Sequence, residues 1–570
     1  MTDNKNMILA IVLSALVLLG WSLVSDRLLP TAGPQTVKVE NGKAKPIPQP
    51  ADIAAERSQA LKSRATVLGS TPRVRIATPS LQGSINLKGA RIDDLVLLRE
   101  RQTIAKDSPP VRLLSPAGAP GGYFASFGWT GDGIEAPGPD TDWKPSAQVL
   151  TPTRPVTLTW TSPSGQRFEQ TIAVDDDYLF TVKQRVANAG TQAVTVRPYG
   201  LISRVNKSPD PDGWTMHVGP IAFLNGAADY DIDWDTLLEA GANGEHFDSR
   251  GGWLGFTDKY WLTALAPAQD ASIAASFRKA PNGAYQADYA RQPTIVPPGG
   301  SITTETHLFA GAKEKAVLDR YEDMGIPKLS KSVDWGWFEW FMRPIFDLLL
   351  WLFKTTGNFG VAIICLTLIV RGLMFPIAQK QFQSMAAMRK VQPKMKAIQE
   401  RHKDDKPKQQ QEILKLYQSE KINPAAGCLP ILLQIPVFYA LYKVLMVSVE
   451  MRHQPFVLWI KDLSAPDPMT PVNLFGLLPF TPPHFLALGV LPILLGITMW
   501  MQFKLNPVQM DPTQQQIFAI MPWVMMFVMA PFAAGLQLYW VVSNILTIAQ
   551  QWWLYKRYGI DKVEPAPATG

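Results

Sequence analysis

From Pro512 to Tyr555 the chain carries no charged residue. That run is about twice the ~20 residues an apolar helix needs to cross a bilayer. Pro531–Gly535 falls inside it and supplies a turn, so the run reads as a helical hairpin in a membrane, with passes at 516–532 and 535–555. Lipid offers no partner to backbone N–H and C=O groups, so membrane segments beside this hairpin must be helices too.

Three further C-terminal stretches fit that requirement. Thr355–Gln379 contains a single charge, Arg371, and gives a pass at 355–379. Ile422–Tyr442 is uncharged, and its pass extends over 422–449 with Lys443 near the far end. Phe485–Phe503 is uncharged and gives a pass at 485–503. At the N-terminus Met7–Val24 is another uncharged run, just long enough to span. It reads as an uncleaved signal anchor within 1–24. The alternative is a cleaved signal peptide, but no small-residue cleavage pattern precedes Asp26–Arg27. With the anchor there are six passes, and both termini lie on one side.

Charge chooses the side. The stretch 376–425 holds 11 Lys and Arg against 5 acids, whereas 451–484 has only Arg452 and Lys461 as basic residues. The positive-inside rule places the first stretch and the C-terminus in the cytoplasm. The segment between the first and second passes is then periplasmic. Only two cysteines occur, Cys365 and Cys428, both in apolar runs, so no disulfide framework or zinc spacing is available to it.

That segment has a different texture. Residues 25–60, rich in Pro, Ala, Gln and Lys, read as a linker. Over 61–332 short alternating runs dominate: Val156, Leu158 and Trp160 alternate with Thr157 and Thr159, and Tyr178, Phe180 and Val182 follow Asp175–Asp177. Period-two patterning between Pro, Gly and Asp turns predicts an all-β domain, large enough for two packed sheets. Residues 333–353 then place Glu339, Arg343 and Asp347 on one helical stripe among aromatics, which predicts an amphipathic interfacial helix. The alternative is a core helix of the β domain, and Pro344 leaves open one helix or two short pieces. Between the second and third passes, 380–421 reads as a cytoplasmic helical hairpin turning at His402–Pro407. Residues 450–484, 504–515 and 556–570 are a periplasmic loop, a cytoplasmic loop and a cytoplasmic tail.

Arg371 is the residue most out of place. The next basic residue, Lys380, lies nine positions on, about 13 Å along a helix. An arginine snorkels only part of that distance. A charge within the bilayer usually faces a bundle interior or a wet cavity, and no acid in the passes neutralises this one. An interfacial, snorkelling arginine is the competing reading. Thr367 shares its face one turn away. Gln434, Gln537 and Asn544 are polar residues of other passes, and both groove lining and interhelical hydrogen bonding suit them. No P-loop, dinucleotide fingerprint or hydrolase motif occurs, so no enzyme activity and no cofactor is expected.

Several runs taken together resemble the YidC/Oxa/Alb family of membrane protein insertases in its Gram-negative form. They include Val370-Arg-Gly-Leu-Met-Phe-Pro376, Asn423–Pro430 with Gln434-Ile-Pro436, Phe456–Trp459, Asp511–Gln516 and Gly535–Trp540 with Ser543-Asn544. The resemblance implies a periplasmic β-supersandwich domain and a five-helix core with a hydrophilic groove open to cytoplasm and lipid. It implies that Arg371 attracts the acidic tail of a nascent membrane protein, and that Thr367 and the pair Tyr539–Trp540 touch substrate. Its implied partners are nascent membrane proteins, the Sec translocon, the ribosome (transiently, through cytoplasmic loops) and membrane lipids, with no specific nucleic acid sequence. Trp540 stands where a second Tyr is common, which leaves open which residue of the pair makes the contact. A secondary transporter of an anionic solute is the rival reading, although it would call for internal repeats, and none is found.

Overall fold

The computed structural model describes residues 39–40, 43–44, 61–210, 216–336, 338–403, 405–420, 429–475, 478, 488–505 and 512–558. The expected anchor at 1–24 lies outside these residues, as do parts of the linker and tail. Within the linker, Val39–Glu40 and Lys43–Ala44 pair as a short antiparallel ladder.

Residues 73–312 form two large sheets. The nine-stranded sheet is antiparallel and runs from Ala227–Asp229 at one edge to Lys144–Pro145 at the other, with Leu179–Asn188 and Ser301–Ala312 paired at its centre. The eleven-stranded sheet is antiparallel except where Arg73–Ala77 meets Val149–Leu150. Alternation does what the sequence predicts. Val156 and Leu158 are fully buried, and so are Tyr178, Phe180, Val182 and Val186. Buried polar side chains pin the two layers. Gln170 Nε2 donates to the Phe127 carbonyl at 2.7 Å, Gln184 Nε2 to that of Gly128 at 2.8 Å, and Tyr289 bonds Thr306. Each amide would cost free energy if buried without a partner, so these bonds favour one register of sheet on sheet. The domain departs from the all-β expectation by three short helices, α1 (Arg64–Gly69), α2 (Trp234–Ala240) and α3 (Lys315–Asp323).

The chain then becomes helical: α4 (Glu339–Thr356), α5 (Phe359–Arg401), α6 (Lys406–Ser419), α7 (Leu429–Val447), α8 (Val490–Leu505), α9 (Pro512–Met529) and α10 (Ala534–Tyr558). Among the described residues, only Phe359–Gln381 is a helix long and apolar enough to cross a membrane by length and composition. Gln434–Val447, Val490–Leu505 and Ala519–Met529 are shorter apolar helices.

α4 is one helix, not two. Pro344 forfeits only the bond to the Trp340 carbonyl near the helix start, and ion pairs hold that turn. The charged stripe reaches the β domain. Glu339 pairs with Lys331 and with Arg343 (3.3 Å), Arg343 reaches Asp319 of α3 (3.7 Å), and Asp347 reaches Lys315 (3.2 Å). Met342, Phe346 and Leu349 are buried, whereas Trp340 and Trp351 are 71% and 60% exposed. Gly357, at φ 70°, turns the chain, and Asn358 caps α5 by accepting from the Val361 N–H at 3.1 Å. The Phe353 and Phe359 rings stack across this corner.

A second departure is the length of α5. The sequence suggests a pass ending at 379 and a separate hairpin arm from 380, but the helix continues through both to Arg401. Lys380 changes the surroundings of the helix and not its backbone, since Gln, Lys, Met and Ala all propagate helix well. The arm returns as α6. There Tyr417 Oη donates to Met395 Sδ at 3.2 Å and Lys394 pairs with Glu420 at 2.7 Å.

Beyond α7, Arg452 plugs into the β domain. Its guanidinium donates to the Arg101 carbonyl at 2.6 Å, pairs with Glu100 at 3.4 Å and lies 5.3 Å from the Trp261 ring. Glu450 accepts the Lys315 N–H at 2.7 Å. Bonds of this kind tie the end of α7 to the domain above it.

Candidate functional site

The site is built on α10, which presents one face to both α5 and α7. From α5, Arg371 reaches across and donates to Ser543 Oγ from Nε, at 3.0 Å, and from Nη2. Half-buried, it has no carboxylate within ion-pair distance among the described residues. One helical turn before Ser543 lies Tyr539, almost fully buried, whose hydroxyl accepts from Gln434 Nε2 of α7. Beside it the Trp540 ring packs 4.9 Å from Phe438 of α7. Thus Arg371, Ser543, Tyr539, Gln434 and Trp540 form one polar and aromatic track joining three helices.

A guanidinium has five N–H donors and no acceptor. A serine hydroxyl can accept from it but cannot neutralise it. In a low-dielectric setting an uncompensated charge of this kind favours the arrival of an anion or water. Leu368, one turn before Arg371 on the same helix, is 49% exposed, so an exposed apolar side chain adjoins the charge.

The other expected groove residues lie apart from that track or face inward. Thr367 is fully buried, and its Oγ1 donates back to the Ile363 carbonyl at 2.7 Å, the usual way a helix satisfies a buried threonine. Gln537 is fully buried at the hairpin turn, where Nε2 donates to the carbonyls of Met529 (2.8 Å) and Phe532 (2.9 Å). It closes the C-terminal end of α9, whose last carbonyls have no helical donor. Asn544 donates to Thr498 Oγ1 of α8 at 3.1 Å. For these two residues the geometry is that of interhelical hydrogen bonding, one of the two readings open from sequence.

Two partners escape the sequence reading. Ser543 carries no sign of its role except adjacency to Asn544 and a one-turn spacing from Tyr539. Asp334 is the second. Lys443, near the far end of its expected pass, is buried and donates to the Asp334 carbonyl at 2.8 Å, with Oδ2 of the same residue at 3.3 Å. The acid that neutralises this membrane lysine comes from the segment before α4, outside every apolar run.

Comparison with known proteins decides what this architecture belongs to. Residues 351–561 match the 60Kd inner membrane protein family, and residues 73–348 match the YidC periplasmic domain. A relative from Zymomonas mobilis, "Membrane protein insertase YidC", is 49% identical over 98% of this chain and 96% of its own length. The chain belongs to the YidC family. A relative of the same name from Bradyrhizobium diazoefficiens is 43% identical over 99% of this chain and 98% of its own. A crystal structure of an active YidC insertase with its first transmembrane domain resolved is similar at 18% identity. It covers 84% of this chain and 92% of that one, with a TM-score of 0.36. The YidC family therefore accounts for both halves of the molecule: a bacterial inner-membrane protein, not an enzyme, with a β-rich periplasmic sandwich and a helical C-terminal region.

Proposed function

We propose that this YidC-family insertase takes nascent membrane proteins into the bilayer along the track on α10, with Arg371 as the charge that draws in a substrate's acidic, unfolded tail. The observation that carries this reading is a half-buried arginine on an apolar helix bonded to a hydroxyl, with no resident carboxylate among the described residues. A polar tail crossing hydrocarbon loses its hydration, and a wet, charged recess in the inner leaflet shortens the apolar distance it must cross. The apolar segment of the substrate then moves along Trp540 and the exposed leucines of α5 into lipid. Thr367 shapes the recess from within, and Gln434 and Tyr539 form its wall. Gln537 and Asn544 hold α9 and α8 against α10, which keeps the track in place.

On this reading the chain has six passes with both termini in the cytoplasm. The α5–α6 arm offers its basic face to the ribosome and to lipid headgroups, and the Sec translocon delivers part of the substrates. A photo-crosslinker at Trp540 should capture a stalled nascent chain, while one at Ile295, exposed on the β domain, should not. Capture at neither position, or at Ile295 alone, would refute the track.

A further inference from the structure

On the periplasmic side a cleft of about 340 Å³ opens where the end of α7 meets the α9–α10 turn. Its walls include Tyr442, Leu445 and Met446 of α7, Phe532 of the turn and Leu536 of α10. The cation on its rim comes from the other half of the molecule. Lys259 sits in the turn between the strands Trp253–Thr257 and Trp261–Pro267, hanging from the β domain over the helices.

Among the described residues the neighbouring acids make other bonds. Asp258 pairs with Arg204 at 2.8 Å, and Asp210 accepts the main-chain N–H of Lys259 at 2.9 Å. The ammonium itself rests 4.9 Å from the Tyr260 ring centroid, an exposed cation–π contact that a stronger anion can outcompete. An apolar recess at the membrane surface with one half-exposed cation at its mouth suits a molecule with an anionic head and an apolar body. A peptide segment fits it poorly, because most of its wall is apolar, with Leu445, Met446, Phe532 and Leu536 offering nothing to the N–H and C=O groups of an extended backbone.

We infer that this cleft binds an acidic phospholipid of the outer leaflet, its phosphodiester on Lys259 and the upper part of one acyl chain between Met446 and Phe532. The β domain thereby selects the lipid that seals the junction between α7 and the hairpin. The inference depends on the periplasmic position of the β domain, which the family carries, and not on the role of Arg371.

Native mass spectrometry of the detergent-solubilised full chain, titrated with phosphatidylglycerol or phosphatidylcholine, tests it. Wild type should retain phosphatidylglycerol about fivefold better, the worth of one basic residue near an anionic surface. Lys259→Gln should equalise the two lipids, and Lys259→Arg should keep the preference. Met446→Trp, which fills the cleft, should lower retention of both, with an unchanged thermal midpoint showing that the fold persists. Equal retention of phosphatidylglycerol by wild type and Lys259→Gln would overturn the site. Displacement of the lipid by inorganic phosphate at matched concentration would overturn the lipid as its occupant.

Discussion

Arg371 is held by a hydroxyl, and that distinction can be tested at the level of one atom group. A carboxylate placed at Ser543 would give the guanidinium a resident anion, and a buried pair of that kind competes directly with an incoming one. Ser543→Asp should therefore lower insertion of acid-tailed substrates by about tenfold in a protease-protection assay, matching loss of the arginine. Ser543→Ala, which leaves the charge free, should stay within about threefold of wild type. That Arg371 stands nine positions from the next basic residue, with no acid in the passes, was legible from spacing. Its partner was not, because Ser543 lies 172 positions away and one serine in an apolar helix signals nothing about what it faces. Lys443 shows the converse. Its place near the end of an apolar run was visible, but the charged stripe read over 333–353 left Asp334 out.

The helices differ in how far sequence announced them. Runs with one charge or none overlap the helices α5, α7, α8, α9 and α10. Where the surroundings change but the backbone does not, as along α5 past Lys380, composition suggested a break that the helix does not make. Gln537 and Asn544, seven residues apart on α10, serve two different neighbours, α9 and α8. Gln537 is the more demanding of the two, because it serves several turn carbonyls at once. Gln537→Leu should destabilise the hairpin by about 1–2 kcal/mol, given that hydrogen bonds inside membrane proteins average well under that each. Thermal unfolding in detergent would show the loss, while Asn544→Leu, which breaks one bond to Thr498, should cost less than half as much.

At the scale of the molecule, the β sandwich was legible from alternation, but its docking on α7 was not, because the ionic contacts that make it join residues from 100 to 452. Burial raises Glu100 and Glu450 at that junction to about 7, with Arg452 opposing the rise at Glu100. A carboxyl whose folded pKa exceeds its unfolded value binds more protons when folded, so stability falls as pH rises from about 4.5 to 7. The thermal midpoint should rise on acidification from pH 8 to 6, and Glu100→Gln with Glu450→Gln should flatten that dependence. The six-pass arrangement makes its own prediction: reporter fusions after Tyr558 should report the cytoplasm and fusions within 451–484 the periplasm. The central claim, that positive charge at Arg371 draws the acidic tail, is tested most directly by insertion rates for paired substrates with acidic and neutralised tails. Arg371→Ala and Arg371→Glu should slow the acidic substrate at least tenfold and the neutral one far less, with Arg371→Lys near wild type. Equal insertion of the acidic substrate by wild type and Arg371→Glu would contradict it.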